Sequence, residues 1–573
     1  MAQMNPLGRS IVAQTIVDRT KDDTPAPVVP IARTTGTATT QPRNDTDLFS
    51  YVAERGFHFP RELVSRYLVA LRTKPFALFT GISGTGKTKL ALLTAEYFAR
   101  VPGTRATRWE QPEDTDHDFY LPIDRVTLRS GTLTPGRDQL DYFNVPAGGT
   151  ETFTATITNL LGAHGDMTFR ATNLVSGGQK HLTIQVPSSV RRAMEENGVG
   201  ERDYLRFEIV EEFKRYRVSL FRPQAEEVEI PEQDRYAFVS VRPSWNDHTA
   251  LLGEWDPRLE RYERTPVLEL LLRAAREEEA ARAAGVAPAP YFVVLDEMNI
   301  ARIEHYFSDF LSALESRRVD DDGTIRQEPL NLHGADASRI TWMDHLGIEY
   351  EIPQRLAIPT NVVFTGTLNL DETTMGMSPK VVDRASTIGF SAVDYAGYLS
   401  GNAAEQARDP LELPADPTRD ADFLGSLRIS SASDAHAVAD SLQPFVRLNE
   451  LLVAHDQHYG YRVLNDVALY VREARDLIGD DPATLHAAVD ACVLQKVLPK
   501  FFTWREDRGG LLAMLLAFCI EGDVENGGRG LDVYTLLDAV TVDPADRALR
   551  ADGEPAYLPR SAGRLARMLH AIG

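Results

Sequence analysis

Eight consecutive residues, Gly81, Ile82, Ser83, Gly84, Thr85, Gly86, Lys87 and Thr88, fit the spacing G-x-x-x-x-G-K-[ST] of a phosphate-binding loop. The glycines let the backbone turn its N–H groups toward one point, and a helix leaving the loop adds the positive end of its dipole there. Lys87 would then reach the β- and γ-phosphates of a nucleoside triphosphate, and Thr88 would offer its hydroxyl to Mg²⁺. Far downstream, Asp296 and Glu297 follow the apolar run Tyr291-Phe-Val-Val-Leu295. In that setting Asp296 helps to hold Mg²⁺, directly or through water, and Glu297 orients and polarises an attacking water. The same Asp-Glu pair is also what a plain helix N-terminus favours, so its catalytic reading depends on the loop upstream. Asn369, at the end of a second run from Asn361, stands where a sensor of the γ-phosphate is needed.

These residues need strands and helices to hold them. Phe76-Ala-Leu-Phe-Thr80 reads as a strand entering the loop and Lys89-Leu-Ala-Leu-Leu-Thr94 as the helix leaving it. Apolar residues at spacings of three and four from Asp47 to Leu71 predict helices before that strand, ended by Lys74-Pro75. The fully apolar Tyr291–Leu295 run is typical of the buried centre of a parallel sheet. Pro266 to Arg282 predicts an amphipathic helix with proline at its tolerated first position. Thr88 and Asp296 lie 208 residues apart, more than one or two βα units would use, which predicts an insertion.

Composition locates it. Between about 119 and 223 the chain alternates in strand fashion: Val126–Leu128, Thr152–Thr158, Met167–Thr172, His181–Val186, Tyr204–Val210 and Tyr216–Phe221. This predicts a small β domain of barrel-like form. It carries 13 Lys/Arg against 12 Asp/Glu, whereas the whole chain of 573 residues has a net charge of −22. A general nucleic-acid coat is excluded by that acidity, and any DNA contact must be local, with the insert the favoured place. The first 46 residues, rich in Thr, Pro, Ala and Asp, predict a disordered tail. After Phe390 the strands are expected to stop, leaving helices over 437–454 (broken or started at Pro444), 463–477, 485–498, 510–519 and 557–572. Cys492 and Cys519 are too few for a zinc cluster and read as buried thiols. No apolar run approaches a membrane span and no signal peptide is evident, so a cytoplasmic protein is expected.

Several ordered phrases together resemble AAA+ ATPases, and within them the McrB-like branch, typified by the NTPase subunit of 5-methylcytosine-specific restriction systems. They are Thr73–Phe76, Val241-Arg-Pro-Ser-Trp-Asn-Asp247, Leu251-Leu-Gly253, Leu295-Asp-Glu-Met-Asn299, Tyr306–Glu315, Gly366–Thr374, Ser378–Ala385, Tyr459-Gly-Tyr-Arg-Val463 and Gln495–Lys500. The resemblance covers about residues 60–110 and 236–505. It implies an α/β P-loop NTPase core over 47–118 and 224–392, the inserted domain over 119–223, and a helical lid with further helices over 393–573. It further implies a ring, often a hexamer, in which Asn369 acts as sensor 1, Arg384 as an arginine finger toward a neighbour's γ-phosphate and Arg462 as a lid sensor 2. Trp245, Asn246 and Asp247 would border the site.

The chain also departs from that pattern. Leu368-Asn-Leu-Asp-Glu372 replaces a motif linked to guanine preference, which favours ATP over GTP, and a disordered tail is expected in place of the restriction protein's separate N-terminal DNA-reading domain. Target reading then falls to the insert, where Arg191, Arg192 and Arg206 are candidate phosphate contacts on a segment resembling AbrB-type barrels. Protein contact or ring assembly is an equal use for such a domain. The expected partners are copies of the chain, a McrC-like nuclease and DNA. The alternatives are a protein-remodelling ATPase of the MoxR or dynein-related kind and a nucleotide-binding scaffold that does not hydrolyse.

Overall fold

Five apolar runs line up as one parallel sheet in the computed structural model, which describes residues 44–572 apart from several stretches. The longest of these are 321–324, 335–339, 370–377, 391–408, 502–508 and 525–530. All but the last three residues of the expected N-terminal tail, and the Leu370–Thr374 stretch, lie outside the described residues. The strands are β1 (Phe76–Gly81), β2 (Tyr236–Ser240), β3 (Tyr291–Asp296), β4 (Val362–Asn369) and β5 (Ser386–Phe390), in the spatial order β2-β3-β4-β1-β5. The three central strands are buried along almost their whole length, as a sheet covered on both faces requires. Parallel register brings their C-terminal ends to one edge: Gly81 lies opposite Asn369, and Leu295 opposite Gly366. Crossing between parallel strands needs long connections. One of them contains the helix Pro266–Ala284, which starts with the Thr265 hydroxyl accepting from the Leu268 N–H and Pro266 in the first turn, and stops at left-handed Gly285.

The chain divides into two compact units. The first comprises residues up to Thr104, Ile230–Ile340 and Glu351–Gly573, and holds the parallel sheet. Its aliphatic and aromatic core runs from Leu48 and the helix Arg61–Thr73 through the helices Tyr461–Leu477, Gly509–Glu521 and Pro559–Ile572. The C-terminal region is mainly helical but differs in detail from expectation. A β-hairpin, Val540–Val542 with Ala548–Arg550, follows Phe390 where no strand was expected, because three-residue strands are too short to show alternation. The helix expected over 485–498 is α-helical only from Pro482 to Cys492. It continues as a π turn and then a 3₁₀ turn, where Pro499 has no N–H to give the preceding turn. The 437–454 segment is a 3₁₀ turn, Ala439–Leu442, followed by the helix Gln443–Val453, and a separate short helix, Ala432–Ala437, precedes it.

The second unit comprises Arg105–Glu229 and Thr341–Tyr350, wider than the 119–223 insert and joined by a distant hairpin, Thr341–Met343 with Glu349–Glu351. Seven strands form one mixed sheet, running from Asp118–Pro122 at one edge to Thr132–Leu133 at the other. Among the described residues those edges do not pair, so the sheet is not closed by hydrogen bonds into the expected barrel. Val126–Leu128, expected as strand, lies in a helix, Arg125–Ser130. Asp124 caps its first turn by accepting from the Thr127 N–H, and left-handed Gly131 ends it. The core of this unit is aromatic: Phe119 stacks on Phe207 with centroids 5.1 Å apart, and Phe153 on Phe169 at 5.4 Å.

Candidate nucleotide site

The loop from Gly81 to Thr88 joins the end of β1 to the helix Lys87–Ala99. Gly86, the residue before that helix, has φ of 89°, a left-handed conformation that a side chain would oppose, and a Cβ there would come 2.9 Å from the Phe59 ring. Ile82, Ser83 and Gly84 are exposed on the loop, and the Thr85 hydroxyl donates to the Ile82 carbonyl at 3.0 Å. Lys87 is buried. Its ammonium donates to the loop's own carbonyls at Gly81 (2.9 Å) and Ile82 (2.7 Å), which places the charge inside the curl of the loop.

Sheet order decides what meets this loop. Because β4 lies between β1 and β3, acidic residues at the end of β3 face the loop across one strand, and β4 supplies the residues between them. Asp296 Oδ1 accepts from the Thr88 hydroxyl at 2.7 Å and from the Thr367 hydroxyl at 2.7 Å. The Thr367 oxygen also accepts the backbone N–H of Glu297 at 2.9 Å. One buried hydroxyl thus fixes both members of the acidic pair. Glu297 itself has φ of 54° and ψ of 46°, the left-handed region that costs an ordinary side chain about 1–3 kcal/mol, so its exposed carboxylate is held by the surrounding bonds and not by local preference.

Asn369 donates from Nδ2 to Glu297 Oε1 at 3.1 Å. Its own backbone is clasped by the side-chain amide of Asn299, which donates to the Asn369 carbonyl at 2.8 Å and accepts from its N–H at 3.3 Å. Close packing supports this corner: a Cβ on Gly366 would fall 2.1 Å from the Met298 sulfur, so only glycine lets the chain after Glu297 lie flat on β4. The Met298 carbonyl accepts from the buried Tyr306 hydroxyl at 3.0 Å, and Trp245 packs edge-on against the Tyr306 ring. Trp245 therefore supports the segment after Glu297. Thr367 and Asn299 fall within two of the phrases that carry the resemblance, but no role was expected of either. Their clue was positional: Thr367 precedes Asn369 by two residues on a strand, which puts both on one face.

Oxygen donors dominate where Thr88 and Asp296 meet, and they fit Mg²⁺, which takes few protein ligands and keeps water or phosphate oxygens for the rest. Among the described residues no group of three or more His, Cys, Asp or Glu forms a metal cage.

Other expected site residues lie elsewhere. Arg384 and Arg462 both form ion pairs with one carboxylate, that of Glu315. Arg206 donates from Nε to Asp118 at 2.6 Å, Arg191 leans on the Arg129 carbonyl at 3.4 Å and on Glu195 at 4.0 Å, and Arg192 is exposed on the same short helix. Of the three, Arg206 is already committed to a carboxylate in its own unit. Among the described residues no helix is long and apolar enough to cross a membrane.

A family model described as a domain of unknown function (DUF8727) matches residues 419–572, the C-terminal helical part and its hairpin. Among solved structures, one from Cytophaga hutchinsonii, provisionally termed an ATPase, is similar over 44% of this chain and 67% of its own. The identity is 12% and the TM-score 0.21, a superposition too loose to define a common fold. No curated protein matches the chain.

Proposed function

We propose that the chain is a Mg²⁺-dependent nucleoside triphosphatase. The observation that carries this reading is the pair of 2.7 Å bonds by which Asp296 joins the Thr88 hydroxyl of the phosphate-type loop and the Thr367 hydroxyl of the intervening strand. In this reading the loop N–H groups and Lys87 bind the β- and γ-phosphates, and Lys87 exchanges its bonds to Gly81 and Ile82 for phosphate oxygens. Thr88 and Asp296 hold Mg²⁺, which when bound neutralises charge on the phosphates. Glu297 accepts a proton from the attacking water, and Asn369 orients Glu297 and the γ-phosphate. ATP is the favoured substrate.

The AAA+ assignment is supported by the phrases of the sequence together with the strand order, and its McrB-like type by those phrases alone. With it come the ring, Arg384 acting on a neighbour's γ-phosphate, Arg462 acting from the lid, and coupling to a McrC-like nuclease on DNA. Both arginines would have to leave Glu315 to serve in those roles. Turnover of ATP and of GTP by the wild-type chain and by Glu297→Gln tests the core of the proposal. Loss of turnover with retained binding is expected, and equal turnover in the two chains would overturn the assignment of Glu297.

A further inference from the structure

Next to the first residues of the loop lies a cleft of about 240 Å³ whose lining is unusually cationic. Arg66 reaches it from the helix Arg61–Thr73, and Arg560, Arg564 and Arg567 from the helix Pro559–Ile572, while Thr80–Ile82 and the end of β5 form its floor. Two carboxylates face these four guanidinium groups, Glu62 and Asp546. Arg567 pairs with Asp546, and Arg560 is held at 2.8 Å by Glu62 and also by Asp409. Glu62 is therefore shared between Arg560 and Arg66.

That sharing leaves Arg66 under-served. The residue is 6% exposed, and its Nη1 finds no hydrogen-bond acceptor among the described residues. A buried guanidinium nitrogen without an acceptor is costly, and an arginine's planar fork is suited to the paired oxygens of a phosphate. Burial, the leading influence, also holds the Arg564 guanidinium below its ordinary pKa; Asp546 opposes that shift and the neighbouring Arg567 adds to it.

We propose that this cleft is a second anion site, taking a small phosphate-bearing molecule whose oxygens supply the acceptor that Arg66 lacks. Its other side rests on the arginines of the C-terminal helix. Because Thr80–Ile82 line the cleft, an occupant touches the start of the loop and links the C-terminal region to it. Such binding does not require the loop itself to hold nucleotide.

The test is calorimetric titration of pyrophosphate into the full chain carrying Lys87→Ala, which removes the loop's cation. Saturable binding is expected to persist in Lys87→Ala and to weaken at least about tenfold when Arg66→Gln is added, the loss typical of one charge-assisted bond. Should Arg66→Gln not fold, as judged by its thermal transition, Arg564→Gln on the same background reads the same site. Titration of AMP in parallel separates free phosphate from a nucleotide's phosphate as the occupant: the tighter of the two names the source. Absence of pyrophosphate binding in Lys87→Ala, or binding unchanged by both arginine substitutions, overturns the proposal. A failure of the triphosphatase reading would appear instead as no hydrolysis by the wild-type chain, or as hydrolysis that Lys87→Ala does not diminish.

Discussion

The two sheets of this molecule deploy charge in opposite ways. In the parallel sheet the strands are apolar along their length and polar at one end, so register and the loop after β1 gather Thr88, Asp296, Thr367, Glu297 and Asn369 into one chain of hydrogen bonds. In the seven-stranded sheet of the second unit the charges are spread along the strands and spent locally. Arg206 pairs with Asp118, Arg215 with Asp166 at 2.8 Å, Arg217 with Glu208 at 2.7 Å and Lys214 with Glu211 at 3.1 Å. Part of the near-neutral charge count that drew attention to this region thus reflects local pairing within the unit. Convergence builds one hydrogen-bonded network, whereas dispersion leaves the charges on a solvated surface.

Perturbing the convergent set should cost far more than perturbing the dispersed one. Lys87→Ala should abolish Mg²⁺-dependent ATP binding at the loop, measured by equilibrium titration; retained micromolar Mg²⁺-dependent ATP binding would break the contrast at its strongest point. Glu297→Gln should bind normally and turn over at least about 10²-fold more slowly, the usual loss when a general base is removed. Thr367→Val keeps the shape of the strand but removes the hydroxyl that fixes both acids, and should lower kcat about tenfold with little change in KM, a loss of about 1.4 kcal/mol. An unchanged kcat would mean that Asp296 and Glu297 are positioned without it. In the second unit, Arg217→Gln should shift stability by no more than about 1 kcal/mol, since both partners of its pair are half exposed. If that single change instead cost several kcal/mol, or abolished DNA binding by the full chain, the dispersed charges would have to be regarded as a site.

Local signals carried much of this into view from the sequence. The loop was visible because its glycines and lysine are tied to fixed spacings, and β3 because an uninterrupted apolar run ending in two acids matches a buried parallel strand with a polar tip. Five of the strands expected in the second unit appear close to where alternation placed them, but the sixth did not. Val126 and Leu128 alternate as in a strand, while the capping by Asp124 that makes the segment helical depends on one side chain. What stayed hidden was non-local. Thr367 gains its role from the register of β4 against β3, Asn299 from a return contact to Asn369, and Thr341–Tyr350 from joining a unit that starts at Arg105. No window of neighbouring residues contains that information.

Glu315 gives the chain a built-in dependence between two positions that would otherwise be studied one at a time. A carboxylate shared by Arg384 and Arg462 means that removing either arginine strengthens the hold on the other, while removing Glu315 releases both. The effects of Arg384→Ala and Arg462→Ala should therefore fail to add, with a coupling energy of about 0.5–3 kcal/mol in a double-mutant cycle. Substitution of Glu315 should erase that coupling. Whatever each arginine does on its own, their histories under mutation are linked through a third residue.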